Sequence, residues 1–239
     1  MRFQRGRVIA SMLVFTSLFA AGCASKGFNR GQLDSQMGVT KPTYDDAEIK
    51  AAYEKKPNLP SPFKLAVYFK TPKHATYGEP VWRWSEDDKA VLAGVAAELK
   101  KEGLVADVFP IVSSATGGSE DLKALRLVAA KHQADALLIV SGAGEIDRYT
   151  NHAGYSYLLL LPTLFVRGSE ADTLFVTSAT MWDVKNEYLY LTAEAEETTR
   201  ESYIAAWGRN DKDLLAEAKN KSVAKLRDEL TRMIKGAKL

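Results

Sequence analysis

Ala136-Leu137-Leu138-Ile139-Val140 is an unbroken apolar run. A run this short, bounded by polar residues and rich in branched side chains, predicts a strand buried on both faces, at the centre of a sheet. Upstream of it, Ser119 can cap a helix that begins Glu120-Asp121-Leu122, and Leu122, Leu125, Val128 and Ala129 fall on one face of it. Leu104 to Ile111 predicts another strand, ending near Pro110. Before that, Ser85-Glu86-Asp87-Asp88 opens a helix with Ser85 as N-cap and acids in the first turn. Val91, Leu92, Val95, Ala96 and Leu99 form its apolar face, and Gly103 is its stop. Phe63 to Lys70, dense in aromatic and aliphatic residues, predicts the first strand. Strand, helix, strand, helix, strand in that order predicts an α/β layer.

Downstream, the pattern changes. Gly142 to Gly154 reads as a polar loop, and Tyr155 to Val166 as a strand bent or broken at Pro162. Arg167-Gly168-Ser169-Glu170 turns the chain into a strand from Thr173 to Val184, and Lys185-Asn186-Glu187 is a tight hairpin turn. In Tyr188 to Glu196, Leu189, Leu191, Ala193 and Ala195 alternate with polar or tyrosine side chains, as in a half-exposed antiparallel strand. Thr198 to Gly208 fits no single element. Asn210 or Asp211 caps a long final helix to about Lys235, with Leu215, Ala218, Ser222, Leu226, Leu230 and Met233 as its buried stripe. The expected fold over residues 63–239 is therefore α/β with an α+β tendency. It has a three-layer-like mixed sheet, an antiparallel hairpin region and a long C-terminal helix.

Residues 1–22 have the layout of an export signal. Arg2, Arg5 and Arg7 precede an apolar run from Val8 to Ala21, and Ala20, Ala21 and Gly22 close it before Cys23, the only cysteine. Phe19-Ala20-Ala21-Gly22-Cys23 resembles the lipobox of bacterial lipoproteins at its last three positions and departs from it at Ala20, where leucine is usual. The resemblance implies that Cys23 heads the mature chain and carries acyl chains. Ala24 in place of aspartate implies the outer membrane, facing the periplasm. A lone cysteine has no partner for an intrachain disulfide, and several acyl chains anchor stably where one does not. Residues 23–62 read as a lipidated tether, polar and punctuated by Pro42, Pro57, Pro60 and Pro62, with a short helix from about Asp45 to Lys55.

With 46% hydrophobic and 26% charged residues and a net charge of +2, the 239-residue chain has the make-up of a globular protein. It lacks the basic stripe that a nucleic-acid partner needs. His74, His132 and His152 have no paired ligand spacing, so no metal is expected. Gly142-Ala143-Gly144 is followed by Asp147 where a dinucleotide loop needs glycine, and Gly117-Gly118-Ser119 lacks the nucleophile-elbow frame. No cofactor is expected. Glu145, Asp147 and His152, with Arg148 and Asn151, lie in one predicted loop. Held a few ångströms apart they would suit the acid–base work of a hydrolase, whereas a solvated loop is the simpler reading. Tyr155, Tyr157, Leu158, Leu160 and Phe165 are candidate contacts to a partner or between subunits. The continuous run Leu158 to Leu161 lacks the alternation of a membrane-spanning strand, which favours core or interface over membrane insertion. Trp82 and Trp84, with Tyr77 and Phe69, are either an aromatic contact patch or half-buried loop aromatics.

The order of elements resembles the small periplasmic α/β domains of the curli secretion lipoprotein, the lipoprotein activators of penicillin-binding proteins, and the amino-terminal domain of Tol protein B. Ala134 to Val140 and Ser178 to Glu187 are the stretches that carry this resemblance. Rhombotarget lipoproteins are more weakly similar over the same region. The resemblance implies a non-catalytic, lipid-anchored accessory factor that binds an envelope protein or a glycan. The alternative is a subunit of an oligomeric secretion or transport assembly, self-associating through Tyr155 to Val166.

Overall fold

The computed structural model describes residues 25, 27–38, 45–72, 81–207 and 210–236. The signal segment, Cys23, His74 and Tyr77 lie outside the described residues. One five-stranded sheet runs in the order β2-β1-β3-β4-β5. Its strands are β1 (Phe63–Phe69), β2 (Val105–Ile111), β3 (Ala136–Thr150), β4 (Ser169–Asp183) and β5 (Leu189–Tyr203). The helices are α1 (Arg30–Met37), α2 (Asp46–Glu54), α3 (Glu86–Lys101), α4 (Leu122–Lys131) and α5 (Asp211–Gly236). β1 pairs in parallel with both β2 and β3, and β3, β4 and β5 form an antiparallel meander. The α/β layer and the long closing helix are as the sequence pattern predicts.

The apolar run 136–140 decides this arrangement. Ala136, Leu138 and Val140 pack with Leu92, Val95 and Leu99 of α3 and Val223, Leu226 and Leu230 of α5. Leu137 and Ile139 pack on the other face with Leu125, Val128 and Ala129 of α4. A strand covered on both faces cannot alternate apolar with polar residues, which is why the run is continuous. α3 opens with a full capping box, Ser85 Oγ accepting from Asp88 N and Asp88 accepting from Ser85 N. The N-cap of α4 is Asp121, whose carboxylate accepts from Ala124 N; Ser119, the expected cap, donates to Asp121 instead.

The structure corrects the reading of Gly142 to Gly154 as a loop. β3 continues to Thr150, ten positions past its last pairing with β1 at Val140, and pairs with β4 throughout. Gly142 and Gly144 mark close packing, not a turn. A Cβ on Gly142 would lie 2.9 Å from Trp82 Cη2, and one on Gly144 would lie 2.8 Å from Leu215 Cδ1. Tyr155 to Val166 is not a strand. It forms two 3-10 turns, His152–Leu159 and Leu161–Leu164, at the tip of the β3–β4 hairpin. The ambiguous stretch after Thr198 completes β5 and adds a short 3-10 turn, Ala205–Trp207, beside Leu161–Leu164.

Among the described residues of the stretch read as a tether, 27–38 and 56–58 are held against the domain. Leu33 and Met37 of α1 pack on Ala143, Leu174 and Val176, covering the half of the sheet that α4 leaves open. α2 buries no side chain. Beyond it, the chain is held at the opposite end of the sheet, where Asn186 donates to Lys56 O and Tyr190 Oη accepts from Asn58 N.

Candidate functional site

The carboxylates proposed for acid–base work sit on β3 and hold the N-terminal segment. Among the described residues, no strand pairs with β3 beyond Val140 on the side where β1 ended, so its peptide groups there need other partners. The buried amide of Gln36 serves Gly144 twice, accepting from Gly144 N at 3.0 Å and donating to Gly144 O at 3.2 Å. Glu145 accepts from Asn29 N at 2.8 Å. Asp147, itself buried, accepts from Ser25 Oγ at 2.5 Å and from Gly27 N at 3.0 Å. Strand alternation then separates the group. Arg148 points to the other face and pairs with Asp211 at the start of α5. Asn151 donates to Arg167 O and Glu170, and His152 is exposed at the hairpin tip. Glu145, Asp147 and His152 are therefore not gathered into one site. Among the described residues, no cluster of three or more histidine, cysteine, aspartate and glutamate side chains is placed to hold a metal.

Next along the hairpin, the neck is closely built. Asn151 N donates to Gly168 O, and Tyr157 Oη donates to Val166 O and accepts from Gly168 N. Gly154 and Gly168 touch backbone to backbone, and a Cβ on Gly154 would collide with Thr150 and the Gly168 carbonyl. Tyr149 donates to Asp172, which also takes two hydrogen bonds from Arg200. Burial and the neighbouring Glu170 and Asp172 push the Tyr149 phenol up to about 12. Above this neck the apolar side chains are left in the open: Leu158, Leu159 and Leu160 are 74%, 74% and 76% exposed, and Trp207 is 78% exposed. Leu161, Leu164 and Phe165 are also exposed. The sequence singled out Tyr155, Tyr157, Leu158, Leu160 and Phe165, and the structure places them together at this tip, both tyrosines half-buried. Leu159, Leu161 and Trp207 join them. The first two were legible in the continuity of the leucine run; nothing local marked Trp207.

Trp82 and Trp84 are not an exposed patch. Trp82 is 5% exposed and packs edge-on against Phe175 and Trp84, with ring centres 4.8 and 5.0 Å away. Trp84 adds an edge contact to Phe69 and donates from its indole to Lys70 O. These rings fill the place where β1 ends and β3 continues. From there the chain leads in opposite directions along the sheet, from β1 to β2 and from β3 to β4, the position at which open α/β sheets form a crevice.

What remains of the crevice is an apolar groove of about 1070 Å³ between α3 and the edge strand β2. Phe69, Trp84, Ala93, Val108 and Pro110 line it, over a floor that includes Leu65 and Leu99. Glu86, Lys89, Lys100 and Asp107 stand at its more exposed rim. The sequence named Phe69 and Trp84 but missed the β2 wall, since the edge position of β2 follows only from strand order.

Among the described residues, no helix is long and apolar enough to cross a membrane. No family model and no curated protein matches the chain. Among solved structures, the chain is similar to a minor lipoprotein from Acinetobacter baumannii, at 10% identity and a TM-score of 0.37, over 76% of this chain and 96% of that one. It is similar to lipoprotein GNA1162 from Neisseria meningitidis at 16% identity and a TM-score of 0.30, over 69% of this chain and 99% of that one. The LpoB C-terminal domain from Salmonella enterica is similar at 9% identity and a TM-score of 0.31, over 57% of this chain and 82% of that one. Likenesses at this level fix neither a family nor a function.

Proposed function

We propose that this chain is an acylated protein of the bacterial cell envelope, anchored in the outer membrane through Cys23. Its domain binds a periplasmic or outer-membrane partner as an accessory factor, without catalysis. The observation that carries the binding role is the groove between α3 and β2. It is concave, apolar and flanked by β2, the edge strand among the described residues, and its charged groups stand at the rim. That chemistry suits an apolar segment of an envelope protein better than a glycan, which needs polar groups converging on the floor. The non-catalytic reading is supported by the carboxylates of Glu145 and Asp147, which are engaged in holding residues 25–29. The lipid anchor rests on the sequence around Cys23.

The test is crosslinking of the full-length protein in intact envelopes, with a photoreactive residue at Val108 and a second form that also carries Ala93→Arg. Ala93 is exposed on α3, so the arginine blocks the groove without entering the core. A defined envelope protein crosslinked through Val108, and lost in the Ala93→Arg form at unchanged melting temperature, is the expected result. Capture unaffected by Ala93→Arg would sink the groove as the binding site.

A further inference from the structure

We infer that the tip of the β3–β4 hairpin, Leu158–Leu161 with Phe165 and Trp207, rests in the surface of the lipid bilayer that holds the acylated Cys23. This rests on the acylation proposed above. Three observations on different parts of the chain meet here.

The first is the course of the N-terminal segment. Going backwards along the chain, Gln36 is fixed at Gly144, Asn29 at Glu145, and Gly27 and Ser25 at Asp147. Each step is closer to Thr150, where β3 ends and the tip begins. Cys23 is two residues before Ser25, and two residues span at most about 7 Å. An anchor at Cys23 is thereby tied to the tip end of the domain and not to the end that carries the β4–β5 turn.

The second is the surface itself. The neck hydrogen bonds and the contact of Gly154 with Gly168 hold the tip in one shape, yet that shape exposes its leucines. Leu160 holds φ 61° and ψ −55°, a strained backbone for a residue with a Cβ. Exposed apolar clusters on a rigid support mark a surface that is covered in use.

The third is the chemistry of the rim. Arg167 is exposed two residues after Phe165, and His152 is exposed where the tip begins. A guanidinium next to an apolar face, with an exposed indole, suits the boundary between lipid headgroups and acyl chains. The lack of strand alternation in Leu158–Leu161 excludes a spanning strand but not this mode, because two short 3-10 turns lie on a bilayer without crossing it. With the tip in the headgroup region, β3 rises away from the membrane. The groove, whose near end is Trp82 over Gly142, then stands about 26 Å above Thr150, the length of eight extended residues.

Full-length protein is expressed with its signal, purified in detergent and weighed to show whether Cys23 is acylated. It is then reconstituted into vesicles of phosphatidylethanolamine and phosphatidylglycerol, with and without phosphatidylcholine brominated on its acyl chains. Trp207 emission is obtained by difference from Trp207→Phe. Quenching of Trp207 by the brominated lipid, lost in Leu159→Glu/Phe165→Glu, is the expected result. No quenching of Trp207 in acylated protein, or equal quenching in the double variant, overturns the proposal. So does a photoreactive residue at Leu159 that crosslinks to a second copy or to another protein in place of lipid. A mass without acyl chains overturns the anchor reading by itself, whatever Trp207 reports.

Discussion

Gln36 shows how one side chain can stand in for a strand. Its amide offers one donor and one acceptor in a plane, the same pair that an adjacent peptide would bring to Gly144. Gln36→Leu leaves the Gly144 N–H and C=O buried without partners, and each such group costs about 1–3 kcal/mol. Urea denaturation is expected to show a loss in that range or above it, and release of residues 25–38 to show as faster proteolysis there. A second residue-scale prediction concerns Glu120. Burial acts to raise its carboxyl, but hydrogen bonds from Thr71 N and the Tyr68 hydroxyl outweigh it and hold the group below its ordinary value. A carboxyl depressed in the folded state stabilises above its unfolded value and loses that contribution as pH falls through the folded one. The domain is therefore expected to lose stability as pH drops below the usual glutamate range, about 4.3. Glu120→Gln should flatten that acid limb in a pH series of melting temperatures; an unchanged limb would remove Glu120 as its cause.

At the scale of elements, α5 and α3 are joined by a buried ion pair between Lys219 and Asp88, and Lys219 also donates to Arg83 O. Asp88 is at the same time the capping-box acid of α3, so a single carboxylate fixes the helix start and the helix–helix register. Lys219→Met strands that carboxylate in the interior and is expected to cost about 3–5 kcal/mol in chemical denaturation. A loss under 1 kcal/mol would show that water reaches Asp88 and that the pair acts as a surface one. The hairpin neck is the other element-scale device. Gly154→Ala has no room against Thr150 and Gly168, and overpacking of this kind costs about 1–3 kcal/mol. Because the clash is local to the neck, amide exchange is expected to rise in residues 151–168 while α3 and α5 remain protected; uniform loss of protection would place the neck inside the main cooperative unit.

Across the whole molecule, the sheet divides its labour along its length. Near the β4–β5 turn, the sheet packs between α4 on one side and α3 with α5 on the other. The tip half of the sheet, β3 to β5 alone, is covered by α1 and the first turns of α5 and ends in the exposed tip. The groove belongs to the half near the β4–β5 turn and the leucines to the other. Sites separated this far act independently, so Ala93→Arg is expected to leave Trp207 quenching by lipid unchanged. Leu159→Glu/Phe165→Glu should in turn leave the binding strength of the groove partner unchanged in detergent. Coupling between the two would show that partner and membrane compete for one surface.

By itself the sequence determined what short-range patterns determine. The run 136–140, the helix faces after Ser85 and Leu122, and the stripe of the last helix each lie within one window, so burial on one side is written in their spacing. From them the α/β layer and its order followed. The lipobox resemblance at Cys23 is of the same local kind. Tertiary structure decided what depends on partners far along the chain. Gly142 and Gly144 look like loop residues until Trp82, Phe175 and Leu215 are laid over them. Glu145 and Asp147 look like candidate catalysts until residues 25–29 arrive to take their oxygens. Trp82 looks like a contact residue until β3 outruns β1 and leaves a space for it. The leucines 158–161 look like core because apolar runs are normally buried, and only the hairpin geometry leaves them outside. For the glycines, the carboxylates and Trp82 the deciding contact joins residues tens of positions apart, and no local spacing records which two segments the folded chain will bring together.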